Sequence, residues 1–318
     1  MLDFKKHELF KNFSDNILSK LSQYVFEKDY EENEIIFKEG DPGDSLCIVE
    51  QGEVAIRRFV DKNQTKRKTL AIIEKGDFFG EMAIFEGKPR SASAVASLKT
   101  KILFIKKEDF WNLLKEEPGT AIKNLLAINH AMSERLRVAN QNFITTFEVG
   151  QIISVVNDMQ SLFEQVLEQL AYSMEKADAI FFALYDEFTE TFMIVSKKGE
   201  EASKIQEKEL TKEDSVIKDI IQNKKAIYIE NTDMTEKYPD LVHKTFDGKS
   251  VIIAPVFLSE KLLGVLFVVC FKEYDAFNQT NKLLAGTIAR QLAPAIEDLK
   301  HRQEEENRKR LQEKRYNY

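Results

Sequence analysis

The stretch FGEMAIFEGKPRSASAVA, residues 79–96, sets Glu81 at the head of a short apolar turn and returns Arg90 into a run of Ala, Ser and Val. Gly80 allows close backbone approach. Glu81 to Phe85 fit one helical turn, and Arg90 is expected on the strand that follows, facing that turn. Unpaired N–H groups at the start of a helical turn, with an arginine opposite, form a clamp for an anion such as phosphate. A carboxylate beside a phosphate is misplaced unless it accepts hydrogen bonds from the ligand. A sugar hydroxyl next to the phosphate meets that need, so the pattern points to a nucleotide. Spacing alone leaves a second reading open, in which Glu81 and Arg90 pair with each other across a hairpin.

Short strands must position these residues. SDNILSKLSQYV opens the chain as a helix, with Ser14 as N-cap and Ile17, Leu18, Leu21 and Val25 at helical spacing. Runs broken by Gly40, the Asp41-Pro42-Gly43-Asp44 turn and the Gln51-Gly52 turn then predict a compact β-roll. After Lys107 the period changes and predicts two helices. The second carries a heptad seam through Leu125, Met132, Ala139 and Thr146 and through Asn129, Leu136, Phe143 and Gly150, which is expected to pair two parallel copies of the chain. From Asp158 the pattern reads helix, two strands, helix, three strands and a closing helix from Gln279, an antiparallel sheet covered by helices. The fold class predicted for the chain is α+β. Its divisions are 1–142, a helical linker 143–157, a second domain 158–298 and a charged helical tail 299–318.

Composition removes several functions. The net charge is −7 with 31% charged residues of both signs, so no domain-wide basic field exists to neutralise a polynucleotide, and no nucleic-acid partner is expected. The longest apolar run, Leu262 to Phe271, falls short of the ~20 residues that span a bilayer, and the N-terminus lacks a signal-peptide core. Cys47 and Cys270 sit in apolar strand-like runs and read as buried thiols of a reducing compartment, which places the protein in the cytoplasm. His7, His130, His243 and His301 show no metal-ligand spacing, and no nucleophile–base pair is evident, so neither a metal site nor catalysis is expected.

Residues 8–142, through IIFKEGDPGDSLCIVEQGEVAI and FGEMAIFEGKPRSASAVA, resemble the cyclic-nucleotide-binding domains of bacterial catabolite activators and kinase regulatory subunits. The resemblance implies that Gly80 and Ala92 give backbone contacts, that Glu81 accepts the ribose 2′-hydroxyl, and that Arg90 and Ser91 hold the cyclic phosphate. Met82 and Ala83 complete the ligand-binding turn. Where the catabolite activators carry a Thr-Ser pair against adenine, this chain has Ala139 and Asn140. Asparagine pairs bidentately with adenine, so Asn140 favours cyclic AMP over cyclic GMP as the ligand, although Ser91 also occurs where guanine is read. Residues 158–298, through SVIIAPVFLSEKLLGVLFVVCF and FNQTNKLLAGTIARQLAPAIED, resemble the GAF family, a likeness that implies no particular ligand. The expected function is a non-catalytic sensor, a homodimer acting on a downstream protein. A catabolite-activator-like transcription regulator with a replaced output domain is the alternative.

Overall fold

The computed structural model describes residues 4–7, 9–61, 63, 65–205, 210–238 and 248–316; His243 lies outside them. The chain divides into two compact units, Met1–Arg137 and Val138–Tyr318.

The first unit opens with α1 (Asp15–Tyr24), where Ser14 Oγ accepts the Ile17 N–H and Ile17 and Leu21 are buried. Eight strands follow: β1 (Val25–Tyr30), β2 (Ile35–Phe37), β3 (Ser45–Gln51), β4 (Val54–Phe59), β5 (Arg67–Ile73), β6 (Phe78–Phe79), β7 (Ser93–Ala96) and β8 (Thr100–Lys106). They form two antiparallel sheets, ordered β1-β8-β3-β6 and β2-β7-β4-β5. Side chains alternate along β3 as a strand requires. Cys47 and Val49 enter the core shared with Val54, Ile73 and Ala94 of the other sheet. Leu46 and Ile48 face the opposite way, against Leu21, Phe110, Leu113 and Ile128 of the helices. A six-residue helix, α2 (Glu81–Glu86), interrupts the roll between β6 and β7, and α3 (Lys107–Glu116) leaves β8 directly.

The second unit is built on one antiparallel sheet, ordered β11-β10-β9-β14-β13-β12. Its strands are β9 (Ala179–Asp186), β10 (Thr191–Lys198), β11 (Leu210–Thr211), β12 (Ile227–Ile229), β13 (Ser250–Leu258) and β14 (Lys261–Cys270). One face packs on α5 (Met159–Ser173) and α7 (Gln279–Tyr316), through Phe163, Phe182, Leu266 and Leu292. The other packs on α6 (Ser215–Asn223), through Phe181, Phe267, Val216 and Ile220. Asp158 caps α5, its carboxylate accepting the Ser161 N–H at 2.8 Å. The protein is an α+β molecule: a β-roll, a long helix and a helix-covered antiparallel sheet. Both cysteines are buried free thiols, and burial raises the Cys47 pKa to about 12. No helix among the described residues is long and apolar enough to cross a membrane.

The long helix α4 (Pro118–Val155) begins in the first unit and ends in the second. Proline at its first position suits a helix start, where no N–H is needed. Its exposed stripe runs through Ile122, Leu126, Asn129, Ser133, Leu136, Asn140, Phe143, Phe147 and Gly150. The expected series Asn129, Leu136, Phe143 and Gly150 lies on that stripe. Of the other expected series, Leu125 and Ala139 are exposed while Met132 and Thr146 are half-buried; the exposed neighbours on the stripe are Leu126, Ser133, Asn140 and Phe147. Arg90 also departs from its expected place: it sits in the loop ahead of β7, which begins at Ser93.

Candidate functional site

The site is assembled where β6 breaks. Phe78 and Phe79 pair with Ile48 and Cys47 of β3, and the chain then turns through Gly80 at φ +80° to start α2. That left-handed backbone suits glycine. Space demands glycine as well, since a Cβ there would lie 2.4 Å from Arg90 Nη1. On the far side Gly43 lets the loop before β3 pass against α2, where a Cβ would meet the Ala83 Cβ at 2.0 Å. The return loop is pinned by its own backbone: Arg90 N–H donates to Asp41 C=O at 2.8 Å, and Gly40 N–H to Arg90 C=O at 2.9 Å.

These constraints bury Arg90 at 5% exposure. Its Nη1 donates to Gly80 C=O at 3.0 Å, and its Nη2 to Ser45 C=O at 2.8 Å and Ser45 Oγ at 3.1 Å. The guanidinium lies 4.2 Å above the centre of the Phe37 ring. Its nearest carboxylate, Asp44, is 3.9 Å from Nη2 and largely exposed to solvent. The Nε of Arg90 is buried and has no hydrogen-bond partner. Glu81 is also buried, and its ion-pair partner is Arg135 of α4, at 3.7 Å. Arg135 additionally donates to Phe78 C=O at 2.6 Å and stacks on the Phe78 ring. Among the described residues no ion pair joins Glu81 to Arg90, so the hairpin pairing that spacing left open is not what holds either charge. Just upstream, burial raises the pKa of Asp77, with Arg135 opposing that rise.

A cavity of about 160 Å³ opens against these groups. Gly80, Glu81, Met82, Ala83, Arg90, Ser91 and Ala92 line one side with Arg135. Phe37 beneath the guanidinium, Phe79 and the apolar side chains of Ile56, Ala71 and Ile73 complete the lining; Ile56 and Ala71 are direct partners in the β4–β5 ladder. Such a cavity suits a ligand with an anionic end, a hydroxyl within reach of a carboxylate, and a flat apolar body. Seven of the eight residues expected from the sequence converge here. Asn140 does not: it is exposed on α4, in the second unit, and is not among the lining residues.

The sequence reading missed Arg135, Phe37, Ser45 and the β4–β5 wall. Leu70 to Ile73 are all apolar, so the local pattern does not say which of them face inward, and only the fold brings Ala71 and Ile73 to the cavity of Arg90. Arg135 lies 45 residues beyond Arg90, and no local pattern marks it.

Comparison with known proteins identifies two domains. The model of the cyclic nucleotide-binding domain matches residues 27–117, and that of the GAF domain matches residues 156–297. The chain carries a cyclic nucleotide-binding domain followed by a GAF domain. It is similar to the cyclic AMP receptor protein of Thermus thermophilus, 33% identical over 136 residues that cover 43% of this chain and 60% of the receptor. It is also similar to the cGMP-dependent protein kinase egl-4 of Caenorhabditis elegans, 24% identical over 162 residues that cover 51% of this chain and 19% of the kinase. The chain thus spans 60% or less of these relatives. Among solved structures, the GAF domain of the Acinetobacter phosphoenolpyruvate-protein phosphotransferase aligns with 50% of this chain and 94% of its own, at 20% identity and a TM-score of 0.44.

Proposed function

We propose that the chain is a non-catalytic cyclic-nucleotide sensor whose ligand occupies the cavity between Arg90 and the β4–β5 wall. The observation that carries this reading is the buried Arg90 charge. Its ion pair with the solvent-exposed Asp44 is long, 3.9 Å, and one buried donor, Nε, is unmatched, an arrangement that costs stability unless an anion completes it. A cyclic phosphate there sets the ribose beside Glu81, Ser91 at the rim, and the base on the wall of Ile56, Ala71 and Ile73. That wall carries no polar side chain. It favours cyclic AMP over cyclic GMP, because guanine has more edge groups that would lose their water without a partner. Asn140 contributes to base recognition in this reading only if binding or a second chain brings it to the cavity.

Two copies pair along the exposed stripe of α4, with divisions at 1–142, 143–157, 158–298 and 299–318. The ligand signal leaves through that helix toward the GAF domain and a downstream protein. The stripe supports this by leaving Leu136 63% and Phe143 70% exposed at seam positions. The buried thiols support a cytoplasmic setting.

Calorimetric titration with cyclic AMP, cyclic GMP and adenosine tests the ligand. Binding in the order cyclic AMP, cyclic GMP, adenosine supports the reading, and adenosine binding as tightly as cyclic AMP removes the phosphate from it. Light scattering tests the pairing: wild type should be a dimer and Leu136→Glu a monomer. A wild-type monomer with and without ligand rules the pairing out.

A further inference from the structure

The value of Arg90 to an anion depends on how it is held beforehand. Three of its donor contacts are committed, to Gly80 C=O, Ser45 C=O and Ser45 Oγ, while the Phe37 ring lies beneath the guanidinium. Two of the three acceptors are backbone carbonyls, which almost any residue at those positions would supply. The hydroxyl is different, because it exists only while residue 45 is a serine or threonine.

Several features make that hydroxyl a fixed point. Ser45 is buried at the first position of β3, and its backbone pairs with Lys106 of β8. Its Oγ–H donates to Asp44 Oδ1 at 3.0 Å. That bond uses the only hydroxyl proton and leaves the oxygen as an acceptor toward Arg90 Nη2. It also ties down the carboxylate of Asp44, which among the described residues is the ion-pair partner of the guanidinium, at 3.9 Å. With Nη1 and Nη2 anchored, Nε is left as the buried donor still to be matched.

We propose that Ser45 is a positioning residue of the anion site: its hydroxyl locks the Arg90 guanidinium in the pose that receives the phosphate. The proposal rests on the reading of the cavity as a cyclic-nucleotide site. Without the hydroxyl the guanidinium keeps its charge but regains rotamer freedom, and binding must then bear the cost of ordering it. The loss falls on the phosphate contact and is therefore the same for either base.

Ser45→Thr and Ser45→Val test it, because the two replacements share a shape and differ by the hydroxyl. Affinities for cyclic AMP and cyclic GMP are measured by calorimetry on the full chain, with folding checked by thermal melts. Ser45→Thr should bind within about threefold of wild type, and Ser45→Val roughly tenfold more weakly for both nucleotides, the scale of one hydrogen bond to a charged group. Ser45→Ala adds no bulk and carries the same expectation if the branched side chains fail to fold. Equal affinity in the variants with and without the hydroxyl, or a loss confined to one nucleotide, overturns the role of Ser45 while leaving the site in place. Wild type that binds neither nucleotide, or Arg90→Ala that binds as wild type does, overturns the site itself and the role with it.

Discussion

Each unit of this chain buries one charge of particular interest, and the two are treated in opposite ways. In the GAF domain, Asp178 accepts the backbone N–H groups of Phe271 at 2.8 Å and Lys272 at 3.2 Å, the Cys270 thiol at 3.4 Å, and an ion pair from Lys272 Nζ at 2.7 Å. Burial alone would raise its pKa, but the bonds from Lys272, Phe271 and Cys270 outweigh burial and hold it below the ordinary value. In the cyclic nucleotide-binding domain, Arg90 has neutral oxygens around it, a long ion pair to the solvent-exposed Asp44 at 3.9 Å and an unmatched Nε. A structural charge is matched by its own chain; one left short of partners in a cavity is what the proposed ligand site requires. The surroundings agree. Phe181 lies on Phe267 at 4.5 Å and Phe163 on Phe182 at 4.4 Å between ring centres, one pair on each face of the GAF sheet; the pocket of that unit, about 630 Å³, is lined by Lys204, Lys249, Phe271 and Tyr274 but not by Asp178, whereas Arg90 itself lines the cavity of the β-roll.

Arg90→Ala should separate the two most sharply. Cyclic-nucleotide affinity should fall by about 2 to 5 kcal/mol, as when one member of a buried charge pair is removed, while the thermal midpoint stays close to that of wild type. A large drop in stability with binding intact would make Arg90 structural, like Asp178. For Asp178→Ala the effects should invert. Nucleotide affinity should stay within twofold, and stability should fall by about 1 to 3 kcal/mol, because two backbone N–H groups lose their acceptor. The sign with pH follows from the lowered pKa. The contribution of Asp178 is complete above the unfolded carboxylate value, about 4, and fades as pH falls through its lower folded value. Denaturant melts on wild type and Asp178→Ala should therefore differ at neutral pH and converge in acid. Convergence at neutral pH instead would contradict the assignment.

The smallest change concerns a third buried polar group. Asn124 on α4 is 0% exposed, and neither its Oδ1 nor its Nδ2 has a partner. Replacement by leucine, of similar shape, should stabilise the nucleotide-binding unit by about 1 kcal/mol in denaturant melts. Destabilisation would mean that Asn124 has a partner, and that unmatched atoms alone do not single out a ligand site.

Residues 79–96 were legible because the cassette is contiguous: a left-handed glycine, a helical turn and a return arginine lie within a dozen residues, and each has a local signature. The same holds for the Ser14 cap and the unbroken run of α4. What surrounds Arg90 was not legible, since Phe37, Ser45 and Arg135 each lie at least 45 residues from it and meet it only through sheet and helix packing. Nor did the heptad pattern alone show which residues of α4 are exposed, because Met132 and Thr146 fit the spacing as well as Ser133 and Phe147 do. Packing against the domains made the first pair half-buried and left the second exposed.

The claim that Arg90 waits for a phosphate can be watched at one atom. In a spectrum of arginine Nε–H groups, with the Arg90 signal assigned by its loss in Arg90→Lys, saturating cyclic AMP should shift that signal downfield and slow its exchange with water. Saturating adenosine should do neither. A signal unmoved by cyclic AMP in protein that calorimetry shows to be fully bound would contradict the account, because the phosphate would then rest on other groups.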